Sequence, residues 1–169
     1  MQRSAKSKYL FLLLATLMFK HPVAAVEPTG NIEIALRYLN AMYATDYEDY
    51  ANLLHPNATF DDPTAVAFDG EAWHITGRQA IVDFIRDSSE VVVDAGFNVQ
   101  SQFSTGEFVV FNLEYRSTFE GDALGIPGKL ISINMPAVTI LQIQNGLVVH
   151  HIDHINYELM HEQLARQKE

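Results

Sequence analysis

The sequence predicts an α+β domain in which a few helices pack against a strongly curved, mostly antiparallel sheet. Two observations support this class. Helical periodicity dominates the first part of the chain after residue 28, and strand alternation dominates residues 91–156. The order of helices followed by long strands joined in sequence is typical of α+β domains. Long strands curl, and helices that cover the concave side leave an internal pocket.

Residues 1–25 have the composition of a signal peptide. Arg3, Lys6 and Lys8 precede an apolar run of 11 residues at 9–19. The small residues Ala24 and Ala25 follow this run. A membrane-spanning helix needs about 20 apolar residues, so this run is too short to be a stable membrane anchor. We expect cleavage after Ala25 and export to the periplasm or the medium, which leaves residues 26–169 as a single domain.

The charge of residues 26–169 excludes several classes of partner. Seven Lys and Arg residues stand against 21 Asp and Glu residues, a formal charge of −14. Nucleic acids and anionic membranes bind clustered basic residues, so we expect neither as a partner. The chain has no cysteine, which excludes disulfides, a thiol nucleophile and a thiolate metal site.

Three helices and a broken strand are predicted in the first half. An i, i+4, i+7, i+11 stripe predicts a helix from residue 32 to about Ala44, and Asp46 is placed to cap a second, short helix. A strand at 58–62 breaks at Pro63. We predict a hairpin between 65–68 and 72–76, turning at Asp69-Gly70, and a third helix that Gly77 opens and that frays at residues 87–89.

Four long strands follow. Alternation predicts one buried face on the first, at 91–103, and on the second, at 109–119. The third, at 129–144, is apolar on both parities, so we expect both of its faces to be covered, one of them by a second chain. Asn145-Gly146 is a strong hairpin signal before the last strand at 147–156, which leads into a short helix through Leu164.

Several short motifs resemble the nuclear transport factor 2-like superfamily, which includes ketosteroid isomerases and SnoaL-like polyketide cyclases. They are Ala35-Leu36-Arg37-Tyr38-Leu39, residues 53–63 (LLHPNATFDDP), Gly77-Arg78-Gln79-Ala80-Ile81, residues 135–143 and residues 145–153 (NGLVVHHID). Together they span residues 31–164. The resemblance implies a cone-shaped barrel with a deep pocket and a homodimer formed through the sheet. The superfamily uses this fold for unrelated chemistries and for binding alone.

The resemblance also suggests catalytic residues. Tyr38 matches the oxyanion-donating tyrosine of the isomerases, and Asp62, just before Pro63, matches their general base. A carboxylate in an apolar cavity can accept a proton from carbon, and a phenol can stabilise the resulting enolate. The second oxyanion donor, a protonated aspartate, is missing, since Val138 or Thr139 occupies its position.

The last strand offers a second candidate pair. His151 and Asp153 are two residues apart and therefore share a face, and the pattern resembles SnoaL-like enzymes, in which an aspartate on this strand acts as acid or base. A structural ion pair is the alternative. His150 and His154 point to the other face, which leaves too few ligands on either side for zinc. We expect no metal, and no cofactor either, because no glycine-rich phosphate loop is present.

Two functional hypotheses follow. The first is an exported, cofactor-free enzyme that transfers protons on a small, mostly apolar carbonyl-containing molecule in isomerase, cyclase or dehydratase reactions. The second is a non-catalytic module that binds a hydrophobic ligand or a protein. Trp73, Phe111 and Tyr115 are candidate ligand-binding residues in either case. An epoxide-hydrolase site would need a pocket arginine, and alternation points Arg116 outward.

Overall fold

The computed structural model describes residues 28–168, and the predicted signal peptide lies outside them. Five helices and six strands form the domain, with 3₁₀ turns at Pro63–Ala65 and Gly121–Leu124. The helices are α1 (Pro28–Tyr43), α2 (Tyr47–Leu53), α3 (Val66–Asp69), α4 (Arg78–Ser89) and α5 (Tyr157–Gln167). The strands are β1 (Leu54–Asp62), β2 (Trp73–Thr76), β3 (Val92–Thr105), β4 (Phe108–Glu120), β5 (Leu130–Gln144) and β6 (Leu147–Ile155).

The strands form one sheet in the order β2-β1-β6-β5-β4-β3. All neighbours are antiparallel except β1 and β6, which run parallel. Within residues 28–168, β2 and β3 are edge strands with no pairing between them, so the sheet of the predicted cone-shaped fold is open at this side. The predicted α+β class is confirmed, and so are the consecutive hairpins from β3 to β6.

The helices cover one face of the sheet. Tyr38, Leu39 and Met42 of α1 are buried where α1 packs against β3, β4 and β5, and Ile81 of α4 is buried where α4 packs against β1 and β2. Along β5, and along β4 as far as Tyr115, every second residue is buried, and burying each large apolar side chain contributes roughly 1.5–3 kcal/mol. The buried set on the two strands includes Val109, Phe111, Leu113, Tyr115, Ile131, Ile133, Leu141 and Ile143.

The short helices end and begin where polar side chains satisfy free backbone groups. Asp46 accepts a hydrogen bond from the amide of Asp49 and so caps α2 as predicted. Gly77, at a φ of 98°, stands just before α4, where a positive φ favours glycine. The start of α4 therefore follows from the local sequence.

The predicted hairpin between 65–68 and 72–76 is wrong. Residues 63–69 form a 3₁₀ turn and α3 instead, because the Asp62 side chain accepts hydrogen bonds from the first free amides of the turn and Pro63 has a fixed φ suited to it. Gly70, at a φ of 82°, ends α3. Strand β2 then pairs with β1, with Asp62 opposite Trp73.

One expectation about buried faces is not tested by a single chain, and another is wrong. The outward side chains of β5 are exposed in the single chain, with Leu130 60% and Val138 37% exposed, so the cover expected from a second chain remains a prediction. Strand β3 has no fully buried side chain. It lies at the sheet edge, and its register shifts near residues 92–94 and 99–101 interrupt the alternation.

Helix α5 protects the part of β5 that β6 does not reach. Strand β6 pairs with β5 as far as Ala137, and beyond it the side-chain amide of Gln163 exchanges hydrogen bonds with the backbone of Asn134 at 2.7 and 3.1 Å. Gln167 donates to the Ser132 carbonyl at 3.2 Å. Free strand edges promote aggregation. The two glutamines bond backbone groups of β5 and so protect an otherwise unpaired edge.

Candidate functional site

A pocket of about 440 Å³ lies between the helices and the concave face of the sheet. Its walls are aromatic, with Phe60, Trp73 and Phe84 in ring contact on one side and Tyr43 against Tyr115 on another, at centroid separations of 5.0–5.7 Å. Residues at the ends of α1 and α4 and the start of β3 complete it, and Asp153 is the most deeply buried carboxylate in the lining. Such a concave, mostly apolar cavity is typical of small-molecule sites.

The two oxygens of Asp153 have different surroundings. Oδ1 accepts hydrogen bonds from Thr139 at 2.5 Å and from Tyr115 at 3.0 Å, and the two hydroxyls lie 2.6 Å apart. Among residues 28–168, no donor forms a hydrogen bond to Oδ2. The carboxylate is 4% exposed and lines the pocket. One oxygen is therefore fixed by the protein, and the other remains available to a ligand.

His151 lies beside this carboxylate and is fully buried. Its Nδ1 lies 2.9 Å from the Tyr38 hydroxyl, which is also 2.9 Å from the hydroxyl of Tyr50. Its Nε2 lies 3.0 Å from Oδ1 of Asp153 but lacks the alignment of a hydrogen bond, and no other described group bonds it. The contact is therefore electrostatic, since the imidazole is held close to the carboxylate without a directed bond.

The pKa of Asp153 reflects competing effects. Burial raises the pKa, whereas the close His151 and the hydrogen bonds from Thr139 and Tyr115 lower it by more, so the pKa lies below its ordinary value. Burial raises the pKa of Tyr38 and Tyr115 well above the ordinary value. At neutral pH the carboxylate is therefore ionised and these phenols stay protonated.

Tyr43 adds a further phenol to the pocket wall. Its ring lies 5.4 Å from that of Tyr115, and burial, followed by the charge of Asp153, raises its pKa well above the ordinary value. Tyr43 is half-buried and lines the cavity, whereas Tyr38 is fully buried behind His151. Of these two phenols, Tyr43 is thus the one in contact with the cavity.

Asp62 occupies a different environment, although it is also fully buried. Its Oδ1 accepts from the amide and the hydroxyl of Thr64, at 2.8 and 2.5 Å, and from the amide of Ala65 at 3.1 Å. Its Oδ2 accepts from the Tyr157 hydroxyl at 2.8 Å. Both oxygens are occupied, because the turn after β1 and the start of α5 fold over the side chain. Asp62 is absent from the pocket lining.

The candidate residues thus fall into distinct groups. Tyr38, His151 and Asp153 form one buried network, which Tyr115 joins from β4. Trp73 and Tyr115 line the cavity, whereas Phe111 is fully buried in the core and does not. Asp62 follows Asp61, which pairs with Ile152 just before Asp153, so the two carboxylates occupy matching positions on the neighbouring strands β1 and β6. The roles assigned to these residues remain predictions.

Three members of the site have no predicted role. Thr139 points inward and holds Asp153, whereas its neighbour Val138 is exposed, which resolves the register that the sequence left open. Tyr43 is the last residue of α1, and Tyr50 lies in the short α2. A tyrosine in a helical stripe has the same periodicity whether it packs in the core or donates a hydrogen bond in the pocket. Only the fold separates the two roles.

A second group of histidines lies on the outer face of the sheet. Asp61 contacts His74 through one oxygen and His150 through the other, both at 2.5 Å, and so links β2 to β6 across β1. Burial raises the pKa of Asp61, but the two histidines lower it by more. Within residues 28–168, no group of three or more His, Cys, Asp or Glu residues is arranged to hold a metal ion.

No Lys or Arg residue lies in the pocket lining within the described chain. Arg116 is exposed, as its strand parity predicted, and Arg86 pairs with Asp83 while lying 4.9 Å from the ring of Tyr47. The lining therefore lacks the arginine expected for an epoxide-hydrolase site. Among the described helices, none is long and apolar enough to cross a bilayer.

Comparisons with known proteins agree with this fold. A candidate SnoaL-like polyketide cyclase from Shewanella putrefaciens is 30% identical, with 80% of this chain and 96% of that chain covered and a TM-score of 0.73. One from Shewanella denitrificans is 29% identical, with 80% and 97% covered and a TM-score of 0.73. An LEH-like epoxide hydrolase from M. tuberculosis, 15% identical with 83% and 93% covered and a TM-score of 0.67, shares the fold.

No curated protein matches the chain. The model of the SnoaL-like domain, however, matches residues 35–151, which include the second half of α1, the aromatic walls of the pocket and His151. This match and the likeness to the Shewanella structures cover most of the described domain. The chain is a member of the SnoaL-like family, within the fold shared by ketosteroid isomerase-like and nuclear transport factor 2-like proteins.

Proposed function

We propose that this protein is an enzyme that transfers a proton on a small, mostly apolar carbonyl-containing molecule without a cofactor. One observation carries the proposal. Asp153 lines the pocket with one oxygen held by two hydroxyls and the other free of hydrogen bonds from residues 28–168. A carboxylate that is buried, ionised and open on one side is suited to act as a general base.

In the proposed reaction Oδ2 of Asp153 removes a proton from the carbon next to the carbonyl group. The electrons of that C–H bond form a carbon–carbon double bond, and the carbonyl oxygen becomes an enolate oxygen. The hydroxyl of Tyr43, on the pocket wall, donates a hydrogen bond to this oxygen. In a β,γ-unsaturated substrate the proton returns from Asp153 to the γ carbon, and the double bond moves into conjugation, which is an isomerisation. Attack of the enolate carbon on a second carbonyl group of the same molecule closes a ring, and the proton from Asp153 neutralises the new alkoxide. In a β-hydroxy carbonyl compound, the hydroxyl group leaves as water with the proton from Asp153, which is a dehydration.

His151 and Tyr38 are positioning residues in this proposal. The imidazole, fixed at Nδ1 by the Tyr38 hydroxyl, places Nε2 3.0 Å from Oδ1 of the base. A polar group at this distance stabilises the ionised carboxylate and so keeps the base unprotonated between turnovers. Asp62 has a structural role, because its four hydrogen bonds leave neither oxygen free to take a proton.

A non-catalytic ligand-binding module is the second candidate function. It is favoured by Thr139, which occupies the position where the isomerase pattern has a second acidic oxyanion donor. Thr139 donates its hydroxyl to Asp153 rather than to the cavity, so fewer donors remain for an enolate oxygen. A pocket with this lining can hold an apolar molecule without changing it.

The deciding experiment measures proton exchange and binding on the same compounds. The purified protein is incubated in D₂O with 2-tetralone and related cyclic ketones, and deuterium incorporation next to the carbonyl is followed by NMR. We expect exchange above that caused by an equal concentration of acetate, and we expect Asp153→Asn to abolish the excess. Trp73 is the single tryptophan and lines the pocket, so its fluorescence reports binding. Binding without exchange by any ketone would overturn the enzymatic proposal in favour of the binding module.

We further propose that the mature protein is exported and pairs with a second copy through the outer face of the sheet. Support comes from the signal-like composition of residues 1–25 and from the apolar side chains exposed on that face, among them Leu130, Phe108 and Val138. Light scattering after gel filtration is expected to give a dimer, and Val138→Lys a monomer. A monomeric wild-type protein at every concentration would contradict the pairing.

A further inference from the structure

The charged side chains in the pocket lining are all acidic. Asp153 on the inner wall and Asp94 at the exposed start of β3 both line it, and no Lys, Arg or His belongs to the lining within the described residues. His151 lies behind Asp153, so the carboxylate stands between the imidazole and the cavity. An anionic ligand would meet a carboxylate at the inner end and another at the rim, with no cation to offset them.

The aromatic walls also favour a cationic ligand over an anionic one. Trp73 and Phe84 meet edge to face at 5.0 Å, Phe60 lies 5.7 Å from Phe84, and Tyr43 and Tyr115 form a separate pair. The faces of such rings carry partial negative charge and attract ammonium groups, most strongly in tryptophan. Aromatic rings combined with a buried carboxylate thus favour a ligand that is apolar in bulk and positively charged at one point.

From these observations we propose that the pocket selects organic cations, so that the substrate carries a protonated amine or a quaternary ammonium group beside its carbonyl. This inference rests on the proposed function, because it names the substrate class of the same pocket. The net charge of −14 over residues 26–169 acts in the same direction, since an acidic surface raises the local concentration of cations. The free oxygen of Asp153 remains available to the reacting carbon if the ammonium group lies toward Asp94 and the rings.

The test uses three compounds of nearly equal shape that differ in charge. Choline is the cation, 3,3-dimethylbutan-1-ol is the neutral isostere, and 3,3-dimethylbutanoate is the anion. Binding is followed through the fluorescence of Trp73, the single tryptophan. We expect choline to bind about tenfold more tightly than the alcohol, and we expect no saturable binding of the anion. Equal affinities for choline and the alcohol, or preferred binding of the anion, would overturn the proposal.

Matched variants assign the selectivity to the pocket. Asp94→Asn should weaken choline binding by about threefold or more and leave binding of the alcohol unchanged, because only the cation interacts with the lost charge. Asp87→Asn is the control, since Asp87 is exposed on α4 outside the lining and its loss changes the net charge equally. Equal effects of the two variants would show general attraction to an acidic protein and would contradict a selective pocket.

The binding test and the exchange test can fail separately. Ketone exchange without any preference for choline would leave the proposed proton transfer intact and remove the cationic substrate class. Preference for choline without exchange of any ketone, cationic ketones included, would retain the cation pocket and remove the enzyme. Each result therefore decides one proposal without depending on the other.

Discussion

Asp62 on β1 and Asp153 on β6 lie on neighbouring strands and are both buried, but their oxygens have different hydrogen-bond partners. Asp62 has four hydrogen-bond donors on two oxygens, supplied by the turn that follows it and by Tyr157. Asp153 has two donors on one oxygen, while the other lies free of described donors in a residue that lines the pocket. Burial and residue type are thus the same at the two positions, and only the number of open lone pairs differs.

This difference separates a structural carboxylate from a reactive one. A buried carboxylate with every oxygen occupied stabilises the backbone that it caps, and protonating it would break those bonds. A buried carboxylate with an open oxygen can accept a proton from a ligand without disturbing the fold. The resemblance to the isomerases alone would have placed the base at Asp62, whereas the hydrogen bonds favour Asp153.

The largest expected effect is on proton transfer when Asp153 is neutralised. Asp153→Asn keeps the shape and the acceptor for Tyr115 and Thr139 but removes the base, so excess exchange into 2-tetralone should fall by about 10²–10⁴-fold. Exchange rates by NMR and far-UV circular dichroism would be measured on the same samples. Retention of exchange within about threefold in a folded variant would exclude Asp153 as the base.

The next effect is on stability when Asp62 is changed. Asp62→Ala removes the cap of the 3₁₀ turn and leaves the buried Tyr157 hydroxyl unpaired, so the free energy of unfolding should fall by roughly 2–4 kcal/mol. Urea denaturation measures this change, and the exchange rate per folded molecule should stay within about threefold. Tyr157→Phe is a gentler companion, because it removes one donor and keeps the cap. A large loss of exchange in folded Tyr157→Phe would give the Asp62 network a part in the chemistry.

Most of the fold could be predicted from the sequence because its periodicities are strong. The alternation in β4 and the Asn145-Gly146 turn define the sheet locally, and Asp46 marks the start of α2 through its own side chain. The hairpin predicted at 65–76 is wrong because the Asp62 side chain caps a 3₁₀ turn that begins at Pro63, and the Asp69-Gly70 pattern that suggested a hairpin turn ends α3 instead. What covers the outer face of β5 stays a prediction, since alternation alone does not show what covers a face.

The site could be predicted in part. The spacing of His151 and Asp153 showed that they share a face, and the resemblance pointed to Tyr38. No sequence pattern could show that Tyr38 contacts the histidine rather than the cavity, or that Tyr115 and Thr139 meet on one oxygen, because these contacts join residues 24 to 113 positions apart. The distinction between Asp62 and Asp153 depends on such contacts.

A smaller effect should follow from removing one donor to the proposed base. Tyr115→Phe takes away a hydrogen bond that favours the charged form of Asp153, so the pKa of that carboxyl should rise. NMR titration of carboxyl-labelled aspartate measures the shift. Tyr47→Phe is the matched control, because its hydroxyl bonds Ser89 rather than Asp153. An unchanged or lowered pKa in Tyr115→Phe would show that this hydroxyl does not stabilise the ionised base.

The smallest expected effect is on the pH dependence of stability. It shows whether burial or hydrogen bonding has the larger influence on the pKa of Asp153. Burial raises the pKa of this carboxyl, but its partners lower it further, so the folded value lies below the unfolded one. Ionised Asp153 therefore stabilises the fold above the unfolded pKa of about 3.9, and that contribution is lost as the pH falls through the folded value. Urea titrations between pH 3 and 7 measure the free energy of unfolding of the wild type and of Asp153→Asn. As the pH is lowered, the wild-type value should fall relative to that of the variant. A shift in the opposite direction would mean that burial outweighs the partners and that the pKa of Asp153 in the folded protein lies above its unfolded value.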